Sequence, residues 1–401
     1  MGLASKMALA YGVQQGAQVM QQLAQNKPSP YPPAQGQGNF GGPPQGHAAG
    51  YYNQGQPQQQ HPPQGPGYGQ SYGAPPSNGY NPAYAAAGGA MAGAAMGAAY
   101  MHGGQPQQHA PSHGGPTSDP NYILNLTRQT VQDQNLHAFY PQGSLEPLAH
   151  RISQSGALQR ISQEWRLPME VAFDLAKLAL FDTILYLDDS GSMAFEENGS
   201  RIDDAKLITS RVATAASLFD TDGIQVVFMN GRTMGSNITS EQQAAQLLGG
   251  VNFSGLTPFG TALDQKILQP LVVGPARANA LRKPVLVIGV TDGEPAGEDR
   301  RALVNAVKNA KAALQQTRYG PDAISLEIAQ VGNDQKARHF LEELDSDPNV
   351  GSLIDVTGTY ENEQDNMLKQ TGMSLSPDLW LCKLMLGAID SSYDHKDERR
   401  Y

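Results

Sequence analysis

The chain has a single cysteine, Cys382, among its 401 residues, so no disulfide can form within it. This cysteine usage is typical of a reducing compartment and predicts a cytoplasmic protein, with the nucleus left open. The opening residues lack the apolar core of a signal peptide, and the Gly/Ala run at 85–100 is too short and too weakly apolar to span a bilayer. We therefore expect no transmembrane segment. Gly2 partly fits a myristoylation motif, but Lys6 stands where that motif has Ser or Thr.

Charged side chains are absent from residues 28–118, which consist mostly of Gly, Pro, Gln, Tyr and Ala. Such a composition does not offer enough apolar surface to offset chain entropy, so we predict a disordered arm over residues 1–118. Its tyrosines, spaced among Gln and Gly, resemble a prion-like composition. Self-association through residues 28–118 and a role as a solvated spacer are both open.

Basic side chains are scarce in the remainder of the chain. Only Lys6 and Lys27 precede residue 119, so residues 119–401 carry 25 of the 27 basic side chains against all 37 acidic ones, a net charge of −12. Binding to a phosphate backbone depends on clustered Lys and Arg, so we expect no nucleic-acid partner. Phosphate-binding loops, dinucleotide fingerprints and nucleophile elbows are also missing, and we expect no enzymatic activity.

Apolar runs alternate with helical periodicity from residue 182 onward, which predicts a parallel sheet with right-handed crossovers. We expect strands at 183–188, 223–229, 284–291, 323–331 and 352–357, with a short one near 236–239. The expected helices are 202–218, 240–249, 260–271, 299–316, 335–344 and 376–389. The domain prediction is a helical extension at 119–181, an α/β domain at 182–358, and a C-terminal helix with a mobile tail at 359–401.

Small oxygen-bearing side chains follow the apolar run 183–187. Asp188, Ser190 and Ser192 supply a carboxylate and two hydroxyls, which are hard donors suited to Mg²⁺, Mn²⁺ or Ca²⁺. Thr257, in a loop, and Asp292, at the tip of the most apolar strand, bring further oxygens. Because ligands bind at the carboxyl edge of an open parallel sheet, the pattern predicts a divalent-cation site there.

The order Asp188-x-Ser190-x-Ser192, then Thr257, then Asp292-Gly293 resembles the metal-ion-dependent adhesion site of the von Willebrand factor type A (vWA) domain family. The resemblance covers about residues 182–358 and implies a Rossmann-like, doubly wound, mostly parallel sheet flanked by helices. It also implies that Ser190 and Ser192 coordinate the cation directly, joined by Thr257 in the ligand-occupied state. Asp188 and Asp292 would act largely through bound water, and a carboxylate of a partner protein would complete the coordination.

The resulting hypothesis is a protein-binding adaptor that engages an acidic residue of its partner through the cation. One alternative is a haloacid-dehalogenase-like phosphotransferase with Asp188 as nucleophile, although Ser190 stands where that family needs a second Asp. Another is a metal-independent scaffold that acts through the arm. Thr261 is a rival to Thr257 as the threonine ligand. The acidic group Glu196, Glu197, Asp203 and Asp204 fits either a second cation site or a solvated helix start.

Overall fold

The computed structural model describes residues 3–10, 118–347, 350 and 354–393. These residues belong to one compact unit of the chain. The predicted arm lies outside the described residues from residue 11 to residue 117, and so does the end of the predicted tail, residues 394–401.

Six strands form one sheet in the order β3-β2-β1-β4-β5-β6. Neighbouring strands are parallel except β2 and β3, which are antiparallel. The strands are β1 (Asp182–Leu187), β2 (Ile224–Phe228), β3 (Met234–Ile238), β4 (Val285–Thr291), β5 (Ile324–Gln330) and β6 (Ile354–Thr357). The predicted doubly wound, mostly parallel α/β fold is confirmed. Every residue of β4 and β5 is buried, as expected for central strands covered by helices on both faces.

Helices precede the sheet, connect its strands and follow it. The α-helices are α1 (Leu3–Ala10), α2 (Pro120–Asp133), α3 (Leu145–Ser155), α4 (Ala157–Glu164), α5 (Met169–Leu175), α6 (Gly191–Phe195), α7 (Ser200–Phe219), α8 (Glu241–Gly249), α9 (Phe259–Leu263), α10 (Gly274–Arg277), α11 (Ala302–Gln315), α12 (Gln335–Ser346), α13 (Tyr360–Thr371) and α14 (Pro377–Leu386). Short 3₁₀ segments are Ala176–Leu180, Glu196–Gly199, Pro321–Ala323, Gly387–Ile389 and Ser391–Tyr393. Residues 119–181, predicted to be helical, contain α2 to α5.

The two faces of the sheet contribute to two separate apolar cores. In β1, Leu185 and Leu187 pack in a core shared with α2 to α5, α7 and α14, whereas Ile184 and Tyr186 pack in one shared with α9, α11 and α12. Successive side chains of a strand point to opposite faces, so one apolar run serves both layers. None of the described helices combines the length and the apolar character needed to cross a bilayer.

Two of the longer helical segments after the first strand differ from the sequence prediction. The helix expected over 260–271 is α9 followed by a π-helix, Asp264–Val273, which contains Pro270. Proline has no N–H for the α-helical ladder, so a locally wider turn is expected there. Helix α13 was not predicted, because its sequence is almost entirely polar. Thr359 caps its first turn through the Asn362 N–H, and Gly372 ends it in the left-handed region at a φ of 72°.

The prediction of disorder throughout residues 1–118 is wrong for residues 3–10. They form α1, and Leu3 and Met7, one helical turn apart, are buried at 0 % and 2 % exposure. Helix α1 packs against α5. Composition indicates only whether a segment folds by itself. In the structure, a surface of the folded unit provides the apolar contacts that residues 3–10 lack when they are alone.

Candidate metal site

The candidate site lies at the carboxyl edge of the sheet, where β1 and β4 end side by side. The two strands are paired through Leu187 and Val290, and the Asp188 N–H extends the ladder by donating to the Val290 carbonyl at 2.9 Å. This pairing brings the residues after β1 and after β4 together, although Asp188 and Asp292 are about a hundred positions apart in sequence.

A chain of hydrogen bonds connects four of the five predicted ligands. The Asp188 carboxylate accepts from the Ser190 N–H at 2.9 Å and from the Thr291 hydroxyl at 2.7 Å. The hydroxyl oxygens of Ser190 and Ser192 lie 3.0 Å apart, and the Ser192 hydroxyl donates to Asp292 Oδ1 at 3.0 Å. Asp188, Ser190 and Asp292 are each at most 1 % exposed. The structure therefore forms a compact set of buried oxygens from these residues.

Thr257 lies in a loop that is hydrogen-bonded to both of the other segments of the site. The Gly191 N–H donates to the Gly255 carbonyl at 3.2 Å, and the Ala296 N–H donates to the Thr257 carbonyl at 2.9 Å. Thr257 is buried, whereas Thr261 is exposed. The Thr261 N–H donates to the Glu298 carboxylate at 2.8 Å, as part of the start of α9. Of the two threonines, Thr257 is therefore the one enclosed between the β1 and β4 loops.

Asp189, next to the first predicted ligand, has a different role. Its carboxylate accepts from the N–H groups of Asn230 and Gly231, both at 2.7 Å. The Asn230 side chain in turn donates to the Leu256 carbonyl at 2.9 Å. Asp189 thus fixes the loop after β2, and through it the loop that carries Thr257.

Arg201, in the first turn of α7, belongs to the site although the sequence analysis did not identify it. Its guanidinium donates to Asp292 Oδ2 at 2.7 Å and pairs with Glu196 and Glu197, each at 2.8 Å. Arg201 is only 2 % exposed. Gly332, at a φ of 71°, passes so close that a Cβ there would lie 2.4 Å from the guanidinium Nε. The i,i+4 spacing of Glu197 and Arg201 was the only sequence signal, and it does not point to Asp292.

Three of the four residues of the predicted acidic group near α7 have basic partners. Asp203 lies 3.0 Å from Lys206 on the same helix, and Arg201 pairs with both glutamates. Asp204 differs, because burial and the charges of Glu361, Glu197 and Asp203 raise its pKa to about 6.

At the candidate site, the negative charge of the buried carboxylates exceeds the positive charge of the side chains next to them. Burial and, to a smaller extent, the charge of Asp292 raise the pKa of Asp188 to about 6, despite the opposing hydrogen bonds from Ser190 and Thr291. Two buried carboxylates with neighbouring hydroxyls form a donor set that suits a hard divalent cation. In the part of the chain that the structure describes, no group of three or more His, Cys, Asp and Glu side chains is placed to hold a metal ion. The candidate set instead relies on hydroxyls for most of its donors.

No protein-family model and no curated protein matches this chain. Among solved structures it is similar to the von Willebrand factor type A from Catenulispora acidiphila, with 18 % sequence identity and a TM-score of 0.32. The alignment covers 53 % of this chain and 42 % of that one, so this chain spans less than half the length of the protein it matches. The assignment of fold class above depends on sheet order and strand direction, and the site on its own geometry.

Proposed function

We propose that this protein is a non-enzymatic adaptor that binds a partner protein through a divalent cation, Mg²⁺ or else Mn²⁺ or Ca²⁺. Asp188, Ser190, Ser192, Thr257 and Asp292 would hold the cation. The observation that carries the proposal is the hydrogen-bonded set of buried oxygens that the ends of β1 and β4 form together.

The donor types determine what such a site does. Hydroxyl oxygens of Ser190, Ser192 and Thr257 are neutral, so a cation that they bind keeps its affinity for an incoming anion. The carboxylates of Asp188 and Asp292 would balance part of its charge. A bound cation would therefore attract a carboxylate of the partner, and metal and partner would strengthen each other's binding reciprocally.

Exposed apolar side chains next to the site support a protein partner. Phe195 is 84 % exposed and Leu256 is 60 % exposed, the two highest values among the large apolar residues that the structure describes. A Cβ at Gly191 would lie 3.6 Å from the Phe195 ring, so Phe195 borders the turn that carries Ser190 and Ser192. Leu256 precedes Thr257 in the loop, and a Cβ at Gly297 would lie 2.6 Å from its Cδ1. Exposed aromatic and aliphatic side chains around a polar centre are typical of interaction surfaces.

Calorimetric titration of the full chain with Mg²⁺ and Mn²⁺, with and without acetate as a probe for the partner's carboxylate, tests the proposal. We expect saturable binding that acetate strengthens. Asp188→Ala and Ser192→Ala should each weaken it by about tenfold or more.

Thr257→Ala and Thr261→Ala form a matched pair, since each removes one hydroxyl from the same region. Only Thr257→Ala should reduce the effect of acetate. Equal losses in the two variants would contradict the assigned ligand set. Absence of saturable binding by the wild type under both conditions would instead favour the metal-independent scaffold.

A further inference from the structure

The groove that receives α1 is formed by α5 and the C-terminal residues 390–393, and we call it the α1 groove. Leu3 and Met7 enter it as an i,i+4 apolar pair on one face of the helix. An isolated helix of eight residues is too short to be stable in water, so α1 needs this surface to remain helical. The structure therefore contains a helix-binding site with its ligand in place.

Charge complementarity identifies α1 as a specific ligand. Lys6 donates to Asp174 at 2.7 Å and to the Ser392 hydroxyl at 2.8 Å, and its ammonium lies 4.5 Å from the centre of the Tyr393 ring. Asp174 also accepts from the Tyr393 hydroxyl at 2.8 Å. The groove thus recognises two apolar side chains, Leu3 and Met7, together with the ammonium group of Lys6, which lies between them in sequence.

Lys6 completes the charge balance of the groove. Lys177 pairs with Asp174 at 2.9 Å and also with Asp390, whose carboxylate lies 3.8 Å from Lys6. Two carboxylates thus meet two ammonium groups when α1 is bound. Without α1, Lys177 alone would face both carboxylates, so the groove without α1 favours a ligand that carries a positive charge.

The connection between α1 and the rest of the folded unit is long. Between Ala10 and Ser118 there are 107 residues. Their composition predicts a random coil, for which a chain of that length has a root-mean-square end-to-end distance of about 57 Å. Such a connection gives α1 an effective concentration on the order of 1 mM at its own groove. Docking within one chain dominates in dilute solution, and helices of other copies compete when copies are crowded together.

We propose that α1 is a detachable ligand of the α1 groove, and that the same groove accepts the α1 of a second copy of this chain. Docking within a chain keeps α1 on the folded unit of its own copy. Docking between chains links copies into assemblies through a folded contact.

The test uses the full chain with a specific protease site inserted between residues 27 and 28. A dye is attached through Gln15→Cys, since Cys382 is fully buried and its pKa is raised by that burial. After cleavage, dye anisotropy over a dilution series gives the dissociation constant of the N-terminal fragment. We expect Leu3→Asp to weaken binding by about 100-fold and Lys6→Met by about tenfold.

Lys27→Met is the matched control, because it removes the same charge from the same fragment at a position outside α1. It should change the dissociation constant less than about twofold. A fragment that is free at every attainable concentration would overturn the proposal, and so would equal weakening by Lys6→Met and Lys27→Met. The latter result would mean non-specific attraction to an acidic protein.

Exchange is tested by adding the cleaved, labelled protein to uncleaved copies that are immobilised on a resin. Copies with Leu3→Asp present an empty groove and should capture the dye, whereas wild-type copies with an occupied groove should capture less. Equal and negligible capture by both resins would overturn exchange between copies. Circular dichroism of each variant verifies that the α/β unit remains folded.

Discussion

The α1 groove and the candidate metal site both contain buried carboxylates, but they differ in the source of the opposing charge. In the α1 groove, burial alone would raise the pKa of Asp390, but Lys177 and then Lys6 hold it below its usual value. At the candidate metal site, burial and the charge of Asp292 raise the pKa of Asp188 to about 6. The groove neutralises its two carboxylates with two lysines, whereas at the strand ends Arg201 is the basic side chain that pairs with Asp292 among the described residues.

Charge balance therefore distinguishes a structural ion cluster from a site that binds an ion. A cluster of buried charges that already includes its cations is neutralised when the chain folds, so it does not need to bind an ion from solution. A cluster with an excess of buried negative charge becomes more stable when it acquires a cation. The proposed functions of the two places follow from this contrast, and three substitutions test it.

The largest effect is expected for Arg201→Met, which removes the only cation paired with Asp292 among the described residues. Loss of one partner from a buried ion pair should lower the free energy of unfolding by about 3 kcal/mol in chelator. Saturating Mg²⁺ should restore much of that loss, because a bound cation would take over the balance of charge at Asp292. Thermal and urea unfolding with and without Mg²⁺ measure both quantities.

Lys206→Met is the control for Arg201→Met, since Lys206 makes an exposed pair with Asp203 on the same helix. Its effect should stay within about 0.5 kcal/mol under both conditions. If Mg²⁺ stabilises Arg201→Met no more than it stabilises the wild type, Asp292 is not part of a cation site.

A smaller effect, without recovery by metal, is expected for Lys177→Met in the α1 groove. The substitution leaves Lys6 as the only ammonium group near Asp174 and Asp390 in the described structure. The free energy of unfolding should fall by about 2 kcal/mol, and Mg²⁺ should restore no more than it adds to the wild type. If Mg²⁺ restored much of the free energy of unfolding that Lys177→Met loses, the α1 groove and the candidate metal site would no longer differ in their response to a cation.

The sequence predicted the sheet well because its central strands are continuous apolar runs that are buried on both faces. It also predicted that Asp188, Ser190, Ser192 and Asp292 lie together at the carboxyl edge, because parallel strands bring the residues that follow them to one side. Their role as metal ligands stays a prediction. Arg201 was missed, since its contact with Asp292 depends on how α7 packs on the sheet, where the helix contacts β1 and β2. The docking of α1 was missed for the same reason, since nothing near Leu3 in sequence indicates the groove that Asp174 and Asp390 help to form.

The smallest effect is expected at a third buried carboxylate, Glu327 in the middle of β5. It lies opposite Asp355 of β6 in the sheet register, and burial first, then the Asp355 charge, raise its pKa well above the usual value, although Lys383 partly opposes this. Because the folded state holds the proton more tightly than the unfolded chain, Glu327 lowers stability as pH rises from its unfolded pKa toward its folded one. Glu327 therefore resembles Asp188, whose pKa burial also raises, and differs from Asp390, whose pKa the lysines lower.

Glu327→Gln keeps the shape of the protonated acid but does not titrate. Between about pH 5 and pH 7, the stability of the variant relative to the wild type should rise by up to about 1 kcal/mol per pH unit. Urea unfolding across that range, in chelator, gives the difference directly. A difference that is constant with pH would mean that the surroundings of Glu327 fully balance its charge. A difference that falls with pH would reverse the sign assigned to its pKa shift.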